Sequence, residues 1–191
     1  PSQCLLCSTH KQVTNNLCRP CIKDLPWQAH TCQQCGLPLP ITQPHCGNCL
    51  KANFAFDDVV SAMIYKPPIQ GLMIKFKFQQ GFACGKALSH LLLSQLQSQQ
   101  TIKPDYLIAM PSHWKRKCKR GFNQAHEIAK VLSKELHLPL LKKGIIRCKH
   151  TPPQAQLGSN ARSQNLRHAF KVPPLNATHV AIIDDVLTSG N

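Results

Sequence analysis

The sequence predicts an α/β protein in which a parallel sheet with flanking helices follows a small cysteine-rich module. Three observations carry that expectation. Residues 1–50 hold four Cys-x-x-Cys pairs. The segments 105–111 and Val180–Ile183 are short apolar runs bounded by turn residues, the pattern of strands buried on both faces of a parallel sheet. Between them, apolar residues recur at steps of three and four, the period of an amphipathic helix.

Length and charge bound the rest. With 191 residues and 42% apolar content, the chain can form one domain of ordinary size with a real core, plus a small module. No run approaches about 18 uncharged apolar residues and no signal peptide opens the sequence, so a cytoplasmic protein with no membrane span is expected. The 23 basic and 8 acidic residues give a formal charge of +15. Eight zinc-bound thiolates would lower it to about +11. Such a charge favours phosphates of any kind, whether nucleotide, pyrophosphate or nucleic acid.

In the N-terminal module the pairs are Cys4 with Cys7, Cys18 with Cys21, Cys32 with Cys35, and Cys46 with Cys49. A two-residue gap lets the chain curl so that both sulfurs reach one tetrahedral ion, and two such knuckles complete a Cys₄ zinc site. A disulfide framework is the competing reading, disfavoured without a secretory signal. Two structural zinc ions are expected. Pairing neighbouring knuckles closes short loops and is entropically favoured over an interleaved scheme, though a single occupied site also fits the count. His10, His30 and His45 are surplus to the ligand sets. Few large apolar residues lie between the cysteines, so metal must supply most of the module's stability.

Residues 51–57 read as a linker and 58–191 as the second domain. Residues 59–65 form its expected first strand, stopped by Lys66, Pro67 and Pro68. Ile69, Leu72, Met73 and Phe76 make one helical stripe, and Leu88, Leu92 and Leu96 a second, in a helix after Gly81. After the strand at 105–111, Phe122, Ala125, Ala129, Leu132 and Leu136 mark a helix that starts near Gly121. A strand is expected at 144–148, then a polar lid over 149–159. A short helix carrying Arg162 and Arg167 follows, with Leu166 and Phe170 on its apolar side. Cys84, Cys118 and Cys148 are ordinary thiols in this scheme.

Chemistry concentrates at two strand ends. Asp184 and Asp185 close the Val180–Ile183 strand, where open α/β sheets place their ligands. Leu187, Thr188, Ser189, Gly190 and Asn191 then offer backbone N–H groups and hydroxyls at an expected helix start, a cradle for phosphate. Hydroxyl-binding acids beside an anion cradle fit a ribose 5-phosphate. The expected helix would begin where the sequence ends, so part of the fold is expected to lie beyond Asn191. At the other strand end, Pro111, Ser112 and His113 lead into Trp114, Lys115, Arg116, Lys117, Lys119 and Arg120. This basic loop before a helix is a second anion site. The run Lys115, Arg116, Lys117 and Lys119, with Trp114 to stack on a base, also suits nucleic acid, and a plain solvated charge run is the bland alternative.

The apolar strand, the acid pair and the Thr/Ser-Gly turn resemble the phosphoribosyl pyrophosphate (PRPP) signature of type I phosphoribosyltransferases. Adding the cysteine knuckles, Arg120-Gly121-Phe122-Asn123-Gln124, and Gln154, Leu157, Arg162, Asn165 and Phe170, the whole chain resembles the ComF family. That resemblance implies a double zinc ribbon before a phosphoribosyltransferase-like domain, and a role in natural transformation by imported single-stranded DNA. It implies ribose hydroxyls on Asp184 and Asp185, the 5′-phosphate on the turn after them, and Mg²⁺ with bound PRPP. Arg120, whose planar fork suits a phosphate, is the candidate catalytic arginine, and Arg162 is expected to touch pyrophosphate or substrate when the lid closes. Partners in DNA import and recombination would follow. Where purine-using members carry an acid in the turn, this chain has Thr188, so the acceptor stays open. A non-catalytic nucleic-acid-binding adaptor that keeps the fold and senses PRPP is the alternative.

Overall fold

In the computed structural model the described residues are 3–51, 54–99, 103–112, 120–142, 144–148 and 169–187. They divide into two compact units, one within 1–101 and one within 102–189.

The first unit begins with a two-residue antiparallel hairpin, β1 (Val13–Thr14) and β2 (Leu17–Cys18), followed by α1 (Arg19–Lys23). Its backbone repeats itself 28 positions on, from Cys4 to Cys32. The Ser8 N–H donates to the Cys4 carbonyl as the Gly36 N–H does to that of Cys32, at 3.0 and 2.9 Å. Ser8 and Gly36 both take a left-handed backbone, with φ of 61° and 70°. Buried Gln28 joins the halves by donating its side-chain amide to the Gly36 carbonyl.

Residues 59–65, expected as a strand of the second domain, pair instead with this unit. Backbone bonds run from Val59 to Gln33, from Gln28 to Ala62 and from Ile64 to Pro26, and the β-pairing amounts to an isolated Trp27–Met63 bridge. Open backbone edges of the cysteine module take up the donors and acceptors that a sheet would have used.

Helices α2 (Ile69–Phe78) and α3 (Phe82–Ser98) complete the unit. Ile69, Leu72, Met73 and Phe76 are buried, the stripe read from the sequence. On α3 the buried face runs through Cys84, Ala87, Leu88 and Leu91, whereas Leu92 and Leu96 are half-buried. The shift has a steric cause: α3 turns its small residues to α2, and the Phe76 ring fills the place where Gly85 would carry a side chain. Among the described residues no helix is long and apolar enough to cross a membrane.

The second unit holds a three-stranded, all-parallel sheet in the order β4–β3–β7, where β3 is Tyr106–Ala109, β4 Leu140–Leu141 and β7 Val180–Ile183. Helix α4 (Gln124–Leu136) connects β3 to β4 and packs across all three strands through Ala125, Ile128, Ala129 and Leu132. Each fully buried Ile or Leu there contributes about 1.5–3 kcal/mol. The helix ends on His137 in the left-handed region, with Pro139 two residues later. The short strand β4 carries too few residues to show a period and has no counterpart in the sequence reading. The pattern at 144–148 yields only β5 (Ile146–Arg147), which pairs antiparallel with β6 (Phe170–Lys171). Phe170 thus belongs to a strand, not to a helix face, with the Arg147 guanidinium 5.5 Å from its ring centre.

Strand β7 is extended as expected but is not buried on both faces. Val180, Ala181 and Ile183 are half-buried and Ile182 is 50% exposed. It pairs with β3 alone among the described strands, and an edge strand has fewer neighbours to cover it.

Candidate functional site

Two kinds of site emerge, one per unit. In the first, the sulfurs of Cys4, Cys7, Cys18 and Cys21 lie within 4.8 Å of one another, and so do those of Cys32, Cys35, Cys46 and Cys49. Neighbouring knuckles therefore share a site, and His10, His30 and His45 belong to neither set. The donor geometry fits zinc. Tetrahedral Zn–S bonds near 2.3 Å require sulfurs about 3.8 Å apart. The observed separations are 3.6 Å for Cys7–Cys18, 3.7 Å for Cys32–Cys49, 3.8 Å for Cys35–Cys46 and 3.6 Å for Cys46–Cys49.

Backbone N–H groups prepare these thiols for metal. Burial opposes ionisation of Cys4, but the N–H groups of Cys7, Leu6 and Cys18 overcome it and hold the thiol down to about 6. Cys32 is likewise held to about 6 against burial by the N–H groups of Cys35 and Cys46. Burial pushes Cys49 up to about 12. A site with a first thiolate in place at neutral pH and further protons to release suits a divalent cation.

In the second unit, β3 leads to β4 on one side while β7 lies on the other, so the strand order reverses between β3 and β7. Open α/β sheets bind ligands beyond the carboxyl ends of strands at such a reversal. There the Met110 N–H donates to the Ile183 carbonyl at 2.8 Å. Pro111 and Ser112 therefore leave the sheet next to Asp184 and Asp185. Asp184 is exposed and its carboxylate accepts the Asp185 N–H at 2.8 Å. Leu187 follows, 46% exposed.

Helix α4 opens at the same edge, and its first residues explain themselves physically. Gly121 has φ of 82°, a left-handed conformation that few side chains tolerate. Phe122 is buried and anchors the turn. Asn123, the N-cap, donates its side-chain amide to the Met110 carbonyl at 3.0 Å instead of capping α4. Gln124 is 3% exposed and accepts from the Arg120 guanidinium at 3.1 Å, while its own amide nitrogen is buried without a hydrogen-bond partner. The result is a fixed arginine and a helix N-terminus with no side-chain cap. A hollow of about 70 Å³ lies beside them, lined by Pro111, Asn123, His126 and Lys142 among others.

Asn123 and Gln124 entered the sequence reading only as members of a motif, and their positioning roles were missed. An Asn one residue before a helical stripe reads as an ordinary cap, and nothing local announces that its amide goes to a strand end.

The larger hollow, about 480 Å³, opens at the opposite edge between Asp105, Tyr106, Pro139 and Thr178. Its one charged lining residue is Asp105, whose Oδ2 already accepts the N–H groups of Thr178 and His179 and the Thr178 hydroxyl. That charge is committed to the fold. His113, Trp114, Lys115, Arg116, Lys117, Lys119, Gln154, Leu157, Arg162, Asn165, Thr188, Ser189, Gly190 and Asn191 lie outside the described residues.

The chain is thus an α/β protein with a parallel sheet behind two Cys₄ centres. Residues 1–50 match the model of the double zinc ribbon domain. Over 99% of its length the chain is 33% identical to competence protein F of Haemophilus influenzae, covering 86% of that protein. It is 31% identical to DNA utilization protein YhgH of Escherichia coli K12 and 30% to that of Salmonella typhi, over all of this chain and 87% of each relative. No solved structure matches. These full-length relationships place the chain in the ComF family.

Proposed function

We propose that the protein binds PRPP through a type I phosphoribosyltransferase-like domain and acts in natural transformation, in the uptake and use of single-stranded DNA in the cytoplasm. The observation that supports this most is the meeting of three features at one sheet edge: the acid pair after β7, the Pro111–Ser112 exit of β3, and the N-terminus of α4 beside Arg120. The names of the relatives, a competence protein and DNA utilization proteins, support the biological setting.

In this reading the zinc ribbons, residues 1–50, are structural, and 58–191 carry the sugar-phosphate site. Asp184 and Asp185 accept hydrogen bonds from the ribose hydroxyls, and the turn from Leu187 to Asn191 takes the 5′-phosphate. Pro111, Ser112 and His113 border the pyrophosphate side. Arg120, held by Gln124, meets the leaving pyrophosphate, and Arg162, which follows the 149–159 lid in sequence, is the second arginine assigned to it. Mg²⁺, where bound with PRPP, would supply charge neutralisation for the leaving pyrophosphate. Departure of pyrophosphate builds positive charge on the anomeric carbon and negative charge on the leaving group, so fixed charges matter more than a nucleophile.

The second reading, a DNA-binding adaptor that keeps the PRPP site without turnover, is favoured by the strong basic excess. Pyrophosphate release from PRPP and Mg²⁺, screened across candidate acceptors, separates the two. Turnover lost in Asp184→Ala/Asp185→Ala supports the enzyme. Tight PRPP binding with no release for any acceptor contradicts catalysis and leaves the adaptor.

A further inference from the structure

The two cysteine centres share a backbone pattern 28 positions apart, but they do not shield their ligands equally. In the first centre Cys4 and Cys18 are buried, Cys21 is half-buried and Cys7 is exposed. At the corresponding positions of the second, Cys32, Cys46 and Cys49 are buried and Cys35 is half-buried. Leu39 and Phe54 pack against that second set. Solvent therefore reaches Cys7 more freely than any ligand of the second centre.

Charge differs in the same direction. Residues 25–50, which hold the second centre, contain no Asp, Glu, Lys or Arg. Residues 1–24 carry Lys11, Arg19 and Lys23, all exposed, against the single acid Asp24. Reactive cysteines sit in electropositive, partly exposed surroundings, whereas buried ones are inert. By both measures Cys7 is the most reactive of the eight ligands.

We propose that Cys7 is a modification site for hydroperoxides, and that its oxidation opens the first zinc centre while the second stays closed. The Cys7 Sγ attacks the O–O bond of a hydroperoxide ROOH: an S–O bond forms, the O–O bond breaks, and the departing alkoxide takes up a proton to give ROH. Cys7 is then a sulfenic acid. Cys18 resolves it, its Sγ lying 3.6 Å from that of Cys7. An S–S bond forms, the S–O bond breaks, and the departing hydroxide is protonated to water. In sum, two thiolates lose two electrons, one peroxide gains them, and two protons come from solvent. Buried Cys18 is shielded from the oxidant, so the exposed partner reacts first.

Local unfolding follows. The disulfide leaves the first centre with Cys4 and Cys21, too few thiolates for a closed tetrahedral site. Cys18 ends β2 and precedes α1, and Cys21 lies inside α1, so hairpin and helix lose their anchor together. The Ile22 carbonyl accepts the Trp27 indole N–H at 2.8 Å, and Trp27 bridges to Met63, which carries the change beyond the first ribbon. The proposal is independent of the sugar-phosphate reading, and either can fail alone.

The test treats the full zinc-loaded chain with hydrogen peroxide, counts released zinc with a chromogenic chelator and maps oxidised cysteines by mass spectrometry. One ion is expected to leave about tenfold faster than the other, in step with a Cys7–Cys18 disulfide. Dithiothreitol with added zinc should restore both ions. Cys32→Ser should keep the fast phase, and Cys4→Ser, whose remaining ion sits in the second centre, should lose it. Circular dichroism checks that each variant is folded, and the disulfide map of the parent chain decides the matter without them. Release of both ions at one rate overturns the proposal, as does a fast phase in which Cys7 stays reduced or the disulfide forms within Cys32, Cys35, Cys46 and Cys49.

Discussion

Asn123 and Met110 bind three elements together with two hydrogen bonds, one from the side chain at the start of α4 to the end of β3 and one from β3 to β7. Replacing Asn123 by Ala leaves the Met110 carbonyl without its donor, at a cost of about 1–2 kcal/mol. Denaturant unfolding should show a lower midpoint with an unchanged slope, and PRPP affinity should fall because the α4 terminus loses its anchor. Asp105 does the corresponding work at the opposite edge. The N–H of His179 first, then that of Thr178 and its hydroxyl, hold the carboxyl below its ordinary value. A depressed folded-state value means the stabilisation is fully present above the unfolded value near 3.9 and disappears as pH falls through the folded one. Asp105→Asn should therefore lower the melting temperature at pH 7, and the gap to the parent protein should close as pH falls through the depressed folded-state value. The acid pair could be singled out as a candidate by residue type alone, and the Arg120–Gln124 stretch by its resemblance to a family motif. The work of Asp105 and Asn123 was not legible, since their partners lie 73 and 13 positions away.

At the scale of elements, the periodic signals were the readable ones. The α2 stripe gave its four buried residues, because a helix that covers a core must repeat every three to four positions. Strands of two residues, such as β4 and β6, contain too little pattern to announce themselves. Residues 59–65 had the composition of a strand, but pairing partners decide whether such a segment joins a sheet, and its partners turned out to be the cysteine module. The α2–α3 contact makes a sharp prediction. Gly85→Val drives a branched side chain into the Phe76 ring, which should destabilise the protein by about 1–3 kcal/mol, read from chemical denaturation. The ribbons make another. Cys4→Ser should reduce bound zinc from two ions to one while the Cys32 site keeps its ion, counted by a colorimetric zinc assay. Because the ligands bind as thiolates, acidification should release metal from both centres.

The whole molecule combines a strong positive field with a parallel sheet whose strand order reverses beside two acids. Six of the eight acidic residues lie outside that pair, at Asp24, Asp57, Asp58, Asp105, Glu127 and Glu135, so Asp184–Asp185 stands as a local exception in a basic chain. In the proposed function this acid pair selects a metal-bound sugar phosphate, where a bare run of lysines would take any polyanion. Calorimetric titration of the full chain with PRPP in the presence of Mg²⁺ tests this most directly. The account predicts saturable one-to-one binding that requires Mg²⁺ and is abolished in Asp184→Asn/Asp185→Asn without loss of zinc. Equal binding by the parent and by that variant, or no heat of binding from either, would contradict it.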